Sequence, residues 1–140
     1  MLYAKKHEIA LGGDFPYAYF EAAKESLNVR YEMYDLIEKI KKYPVRIVLF
    51  SNISQRYALA LEEMGLYEPF SQKILSCEIG VSKPNEKSYE KLLSELKCDP
   101  SDVLFIDDNL ENVKAAQSFG IDAIQFSEVS ELIDELSSRG

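Results

Sequence analysis

Short apolar segments that alternate with helix-like stretches constrain the fold of this chain more than any other feature. The segments typical of strands cover residues 45–50, 72–77, 103–106 and 121–126, and the stretches with helical spacing cover residues 54–64, 86–96, 110–119 and 128–136. Gly65 and Gly120 are typical helix stops, and Ser127 is the predicted N-cap of the last helix. Strands that alternate with helices of about ten residues predict an α/β fold, a Rossmann-like parallel sheet with helices on both faces.

The N-terminal part of the sequence follows a different pattern. Residues 16–27 and 31–42 predict two helices, and only the short segment 8–11 could form a strand before them. A length of 140 residues suits one domain with a substantial buried core. We therefore expect residues 29–140 to form the α/β core and residues 1–28 to be an N-terminal extension.

Composition and charge exclude several classes of function. A formal net charge of −8 disfavours binding to the phosphate backbone of nucleic acid. The sequence contains no apolar run of the roughly 18 residues that a membrane span needs, and its N-terminus lacks the pattern of a secretory signal. Cys77 and Cys98 lie far apart and are interpreted as reduced thiols. These features predict a cytoplasmic protein that binds neither nucleic acid nor a membrane.

Polar side chains follow two of the predicted strands, at the edge where an open parallel sheet places its ligands. Ser51 and Asn52 follow the first strand, and Asp107 and Asp108 follow the third. Adjacent carboxylates suit Mg²⁺, which binds hard oxygen ligands, but an acidic turn that caps the next helix explains them equally well. Ser51 and Asn52 alone are compatible with an ordinary turn, and Lys83 alone with a surface lysine.

The combination of these residues is more informative than any one of them. A hydroxyl and an amide can donate hydrogen bonds to phosphate oxygens, a lysine adds positive charge, and paired carboxylates can hold a metal ion. This set is typical of a phosphoryl-transfer site except that it contains no nucleophile.

Three segments carry a specific resemblance to the haloacid dehalogenase superfamily. Residues 48–52 (Val-Leu-Phe-Ser-Asn) resemble its second motif, residues 80–85 (Gly-Val-Ser-Lys-Pro-Asn) resemble its third, and residues 103–116 resemble its fourth in the double-aspartate form. Their order and separations are similar to those of the branch with a helical cap after the first motif. That branch contains sugar-phosphate phosphatases and the phosphatase domains associated with epoxide hydrolases.

The resemblance implies a role for each matching residue in Mg²⁺-dependent hydrolysis of a phosphomonoester. Ser51 would bind the transferring phosphoryl group, with Asn52 beside it at the substrate. Lys83 would stabilise the negative charge of nucleophile and phosphate. Asp108 would coordinate Mg²⁺, and Asp107 would assist directly, through water, or by pairing with Lys83. Asn112, one helical turn further on, would support this metal site.

The first motif of the superfamily, an aspartate nucleophile at the end of a central apolar strand, has no clear match. The nearest segment is residues 9–13, which would put Ala10 at the position of the nucleophile. We expect instead that the chain begins inside the cap, so that residues 1–28 are a partial helical cap. Asp14 is then interpreted as a loop acid, and His7 as an exposed residue.

Two classes of function follow from this departure. The chain is either the larger part of a phosphatase that is truncated or split, and inactive alone because it lacks the nucleophile, or a non-catalytic relative that binds a ligand or a partner. A small phosphorylated metabolite is the expected substrate of an active form. The place of the central strand could be taken by direct pairing of residues 45–50 with 103–106, by insertion of residues 8–11, or by a strand from another chain. We expect direct pairing or a strand from another chain, because insertion would bring the charges of residues 5–8 into the core. A complementing chain or a homo-oligomer is the expected partner in the latter case.

Overall fold

The structure, a computed structural model, describes residues 4–5, 28–29 and 31–139. The chain divides into two compact units, one comprising residues 2–78 and the other residues 79–140. The predicted helix 16–27 and the segment 8–11 lie outside the described residues, as do His7, Ala10 and Asp14. The domain boundary predicted after residue 28 therefore stays a prediction.

The first unit contains a short antiparallel pair followed by a parallel pair of strands. Strand β1 (Ala4–Lys5) pairs with β2 (Asn28–Val29) in antiparallel fashion. Strand β3 (Val48–Ser51) pairs with β4 (Gln72–Leu75) in parallel, and Ser51 stands opposite Leu75 at the end of the register. The elements in chain order are β1 (Ala4–Lys5), β2 (Asn28–Val29), α1 (Tyr31–Ile40), β3 (Val48–Ser51), α2 (Gln55–Glu63), β4 (Gln72–Leu75) and the one-turn helix α3 (Ser76–Ile79) at its end.

One hydrophobic cluster forms the core of the first unit. It joins the inner face of α1, the buried middle of β3 and one side of α2, because apolar residues recur at helical spacing in the helices and alternate in the strands. Its members are Ile37, Leu49, Ile53, Tyr57, Ala58, Leu61, Leu66, Tyr67, Phe70 and Leu75.

The second unit repeats the strand–helix–strand order. Strand β5 (Leu104–Asp107) pairs with β6 (Asp122–Gln125) in parallel, and Asp107 stands opposite Gln125 at the end of the register. The helix between these strands packs against both of them. The elements are α4 (Glu86–Leu96), a 3₁₀ turn (Pro100–Asp102), β5 (Leu104–Asp107), α5 (Leu110–Ser118), β6 (Asp122–Gln125) and α6 (Val129–Ser138).

Local sequence explains how the helices of the second unit begin and end. Asn85 and Asn109 cap α4 and α5, each accepting a hydrogen bond at 2.9 Å from a backbone N–H two residues later. Gly120 follows α5 with a φ of +81°, a conformation that glycine adopts without strain. Lys97 ends α4 with a φ of +53°, where glycine would be more usual.

The prediction of an α/β fold with parallel strands is confirmed, and α4 begins and ends where the sequence predicts. The strand predicted over residues 45–50 begins only at Val48, and two further local predictions are wrong. Ser76 and Cys77 belong to α3 rather than to a strand. The N-cap of α6 is Glu128, while the hydroxyl of Ser127 donates to the carboxylate of Glu131.

Among the described residues β3 pairs with β4, and β5 pairs with β6. The expected pairing of residues 45–50 with 103–106 would join the two units and stays a prediction. A strand supplied by another chain remains a prediction.

Candidate functional site

The sequence motif at the end of β3 lies in the first unit. Ser51 is the last residue of the strand and is half-buried, and Asn52 follows it as an exposed residue. The hydroxyl of Ser76 accepts a hydrogen bond from the N–H of Ile53 at 2.9 Å and donates to the carbonyl of Ile53 at 3.2 Å. Ser76 therefore anchors the loop that carries Asn52. Sequence reasoning missed this role, although the position of Ser76 directly after the neighbouring strand could have suggested it.

The second unit brings Lys83 and Asp107 together. The Nζ of Lys83 donates to the Oδ2 of Asp107 at 2.7 Å, and only 5% and 4% of these side chains are exposed. The ammonium group also lies 5.3 Å from the centre of the Phe105 ring. Of the three ways in which Asp107 could assist the metal site, the structure contains the pairing with Lys83.

Both oxygens of the Asp107 carboxylate accept hydrogen bonds. Oδ2 accepts a second bond from the side-chain amide of Asn112 at 3.2 Å, and Oδ1 accepts from the N–H of Asn109 at 2.9 Å. Burial alone raises the pKa of Asp107, but the positive charge of Lys83 and these hydrogen bonds outweigh it and lower the pKa. Asp107 is therefore held as a carboxylate with a fixed orientation.

Asp108 is the exposed member of the acidic pair. Its backbone carbonyl accepts a hydrogen bond from the amide of Gln125 at 3.3 Å, which ties the turn to the end of β6. Partial burial and the adjacent carboxylate of Asp107 raise the pKa of Asp108, because both disfavour a second negative charge. A cation at this position would relieve that repulsion.

The N-cap of α5 is a residue outside the acidic pair. Asn109 is the N-cap of α5, and its side chain accepts from the N–H of Glu111. Neither Asp107 nor Asp108 has the capping position. The helix start therefore accounts for Asn109 and does not account for the two aspartates.

The oxygen atoms of this cluster fit a magnesium ion by their chemistry. Asp107, Asp108 and the side chain of Asn112 supply hard oxygens, and Mg²⁺ needs only one or two carboxylates when water and substrate complete its shell. The part of the chain that the structure describes contains no group of three or more His, Cys, Asp or Glu residues arranged as metal ligands. The cluster thus suits a Mg²⁺ ion that takes most of its coordination shell from water and substrate oxygens.

A cavity of about 320 Å³ lies in the second unit, beside the start of α4 and the end of α5. Its lining includes Pro84, which follows Lys83 directly, and Phe119. None of the predicted site residues lines this cavity. The cavity is therefore a separate feature from the acidic cluster.

A family model of haloacid dehalogenase-like hydrolases matches residues 2–120. The chain belongs to this family. Its relatives include a chloroplast flavin mononucleotide hydrolase of Arabidopsis thaliana, 29% identical over 133 residues that cover 92% of this chain and 53% of the relative. A sesquiterpene phosphatase of Aspergillus oryzae is 30% identical over 115 residues, covering 81% of this chain and 59% of that protein. The chain thus spans somewhat more than half the length of these two relatives.

Solved structures agree on the fold of this family member. A HAD-like family hydrolase of Porphyromonas gingivalis superposes with a TM-score of 0.73 at 24% identity, covering 91% of this chain and 66% of that one. A HAD family enzyme of Bacteroides thetaiotaomicron, solved with magnesium and inorganic phosphate, superposes with a TM-score of 0.71 at 22% identity, covering 81% and 62%. At these identities the likeness concerns the fold, and it confirms the predicted HAD-like α/β core.

The predicted site residues are distributed over both units. The structure joins Lys83, Asp107 and Asn112 in one hydrogen-bonded cluster with Asp108 beside it, whereas Ser51 and Asn52 belong to the first unit. Among the described residues, no helix is both long and apolar enough to cross a bilayer.

Proposed function

We propose that this chain carries the phosphate-binding and magnesium-binding part of a phosphomonoesterase of the haloacid dehalogenase-like family. The observation that carries the proposal is the buried ion pair of Lys83 and Asp107 next to the exposed carboxylate of Asp108. Fixed positive charge beside hard oxygen ligands is the combination that phosphoryl transfer requires. A small phosphorylated metabolite is the proposed ligand.

Each residue of the proposed site has a distinct task. Asp108 and Asp107 would hold Mg²⁺, and Lys83 would orient Asp107 and contribute positive charge near the phosphate. A bound Mg²⁺ ion supplies charge that neutralises phosphate oxygens. Ser51 and Asn52 enter the proposal through the sequence resemblance alone, as hydrogen-bond donors to the phosphoryl group.

The comparisons support the proposed chemistry at the level of reaction class. One relative is named a flavin mononucleotide hydrolase and another a sesquiterpene phosphatase, and both names describe hydrolysis of a phosphorylated compound. The enzyme of similar fold from Bacteroides thetaiotaomicron was solved with magnesium, the metal proposed for this chain, and with inorganic phosphate. The names of the two relatives agree on the reaction class and differ in the substrate.

We further propose that the chain alone is inactive, because no residue of it matches the aspartate nucleophile of the family. Residues 1–28 would belong to a helical cap and residues 29–140 to the core. A strand from a complementing chain would then take the place of the missing central strand, and a homo-oligomer would cover the exposed sheet edge by pairing with a second copy. We place this activity in the cytoplasm, without a membrane partner, and the net charge of −8 disfavours nucleic acid as a partner.

A magnesium titration followed by the backbone-amide NMR signals of Asp108 and Asn109 tests the metal site. We expect saturable shifts in the wild type with weak, roughly millimolar affinity, as in the sparsest oxygen sites. Asp108→Asn should abolish them. Asp122→Asn is the matched control, because Asp122 is an exposed aspartate of the same unit that pairs with Arg139. Shifts that survive in Asp108→Asn, or micromolar affinity, would contradict this assignment.

An activity assay separates the two classes of function. The chain alone should hydrolyse p-nitrophenyl phosphate with Mg²⁺ no faster than a Lys83→Ala control, since losing a covalent nucleophile costs several orders of magnitude. Clear turnover that Asp108→Asn abolishes would refute the proposed inactivity and point to another carboxylate, such as Asp14. Magnesium binding without turnover, even with a complementing strand present, would favour the alternative, a non-catalytic binding or interaction protein.

A further inference from the structure

Tyr89 is fully buried in the second unit and connects α4 to the segment that carries the acidic cluster. Its hydroxyl donates to the backbone carbonyl of Asn112 at 2.8 Å. Its ring packs edge-on against Phe105 of β5, at 5.9 Å between centroids, and stacks with Phe119 at 5.8 Å. One side chain thus contacts the strand before the acidic turn, the helix after it and the end of that helix.

The hydrogen bonds continue from Tyr89 to the carboxylate of Asp107. The backbone of Asn112 accepts from Tyr89, and the side-chain amide of the same asparagine donates to Oδ2 of Asp107 at 3.2 Å. That oxygen is also the acceptor for Lys83. A displacement of Asn112 would therefore change the orientation of Asp107 without touching either carboxylate directly.

Asn112 also presents an acceptor that the described part of the protein does not use. Its residue exposure is 6%, and its Oδ1 is buried without a hydrogen-bond partner among the described residues. Buried polar atoms are nearly always hydrogen-bonded, so this acceptor is open to a donor from outside the described residues. The amide orientation is consistent with this, because the opposite orientation would turn Oδ1 toward the Asp107 carboxylate.

We propose that Tyr89 is a positioning residue of the magnesium site: through Asn112 it fixes the orientation of the Asp107 carboxylate beside Asp108. This inference rests on the proposed function. It adds a residue on α4, 18 positions before Asp107 in the sequence, to the determinants of metal affinity. Tyr89 itself contacts neither the ion nor the substrate in this assignment.

The test is the magnesium titration of the full chain carrying Tyr89→Phe, which removes the hydroxyl and retains the ring. We expect the dissociation constant for Mg²⁺ to rise about three- to tenfold, the factor that one hydrogen bond contributes. The matched control is Tyr34→Phe. The hydroxyl of Tyr34 likewise donates to a backbone carbonyl, that of Leu66 at 3.0 Å, but this pair lies in the first unit. The control should leave the dissociation constant unchanged within twofold.

A second variant distinguishes positioning from general destabilisation. Asn112→Ala removes the side chain through which Tyr89 is proposed to act, so Tyr89→Phe should have little further effect on magnesium affinity in that background. Additive effects, or a Tyr89→Phe affinity within twofold of the wild type, would overturn the inference while leaving the proposed function intact. A wild-type chain without any response to Mg²⁺ would overturn both.

Discussion

Replacing Lys83 by methionine is the most direct test of the buried ion pair. The substitution keeps an unbranched apolar stem and removes the ammonium group that lies 2.7 Å from Oδ2 of Asp107. The carboxylate would keep its hydrogen bonds from Asn109 and Asn112 but lose the cation that balances its charge. An unpaired charge would then remain at a position where 4% of the side chain is exposed.

The expected loss of stability follows from that burial. Removing one partner of a buried pair costs about 3–5 kcal/mol, since the remaining charge is left without compensation. A domain of ordinary stability has about 5–15 kcal/mol in total, so Lys83→Met should be a severe change. Replacing both partners should cost much less. In Lys83→Met/Asp107→Asn neither charge of the buried pair remains. The side-chain amide of Asn112 can then rotate so that its Oδ1 accepts a hydrogen bond from the amide at position 107.

Urea unfolding at pH 7, followed by circular dichroism, measures these differences in the free energy of unfolding. Lys73→Met is the matched control. Lys73 also pairs with a carboxylate, that of Glu62 at 3.3 Å, and also lies over an aromatic ring, that of Tyr67 at 4.8 Å. Its side chain is 33% exposed, so its loss should cost less than about 1 kcal/mol.

Two results would refute this reasoning. A loss below about 1 kcal/mol in Lys83→Met would mean that water or a rearrangement compensates the Asp107 carboxylate as well as the lysine does. A double variant no more stable than Lys83→Met would mean that the loss comes from packing of the lysine stem rather than from charge.

The remaining predictions concern pH and a local backbone conformation. Because the pKa of Asp107 is lowered in the folded state, its contribution to stability is present above the unfolded value of about 3.9 and is lost as the pH falls through the lowered pKa. In Lys83→Met burial should instead raise the pKa of Asp107. The difference in the free energy of unfolding between wild type and variant, measured in urea, should therefore grow from about pH 3 to pH 7. A difference that is constant with pH would contradict this. Lys97→Gly should stabilise the chain by about 0.5–1 kcal/mol in the same assay, because Lys97 is exposed and has a φ of +53°. A loss of stability would show that the Lys97 side chain makes a contact that stabilises the fold by more than the relief of this backbone strain.

Most elements of the α/β core could be predicted because their signals are local. The helix 86–96 and the parallel arrangement follow from apolar spacing and from the strand–helix alternation, which each segment carries in its own residues. The ends of strands were less predictable. Ser76 and Cys77 directly follow Ile74 and Leu75 in the sequence, yet they form a helical turn, in which the hydroxyl of Ser76 bonds to both backbone groups of Ile53. That partner lies 23 residues away and leaves no local pattern.

The same distinction applies to the candidate site. The sequence by itself determined which residue types stand at the strand ends, and with them the family, because a motif is a property of consecutive residues. Only the tertiary structure decided that Lys83 is a buried partner of Asp107 rather than a surface lysine, and that Asp107 and Asp108 differ in exposure and in the direction of their pKa shifts. The resemblance gives the two aspartates different roles, but the sequence does not give their exposure or the direction of their pKa shifts. The two residues become different in these respects when the fold places a cation and two N–H donors, from Asn109 and Asn112, around Asp107 and leaves Asp108 facing water.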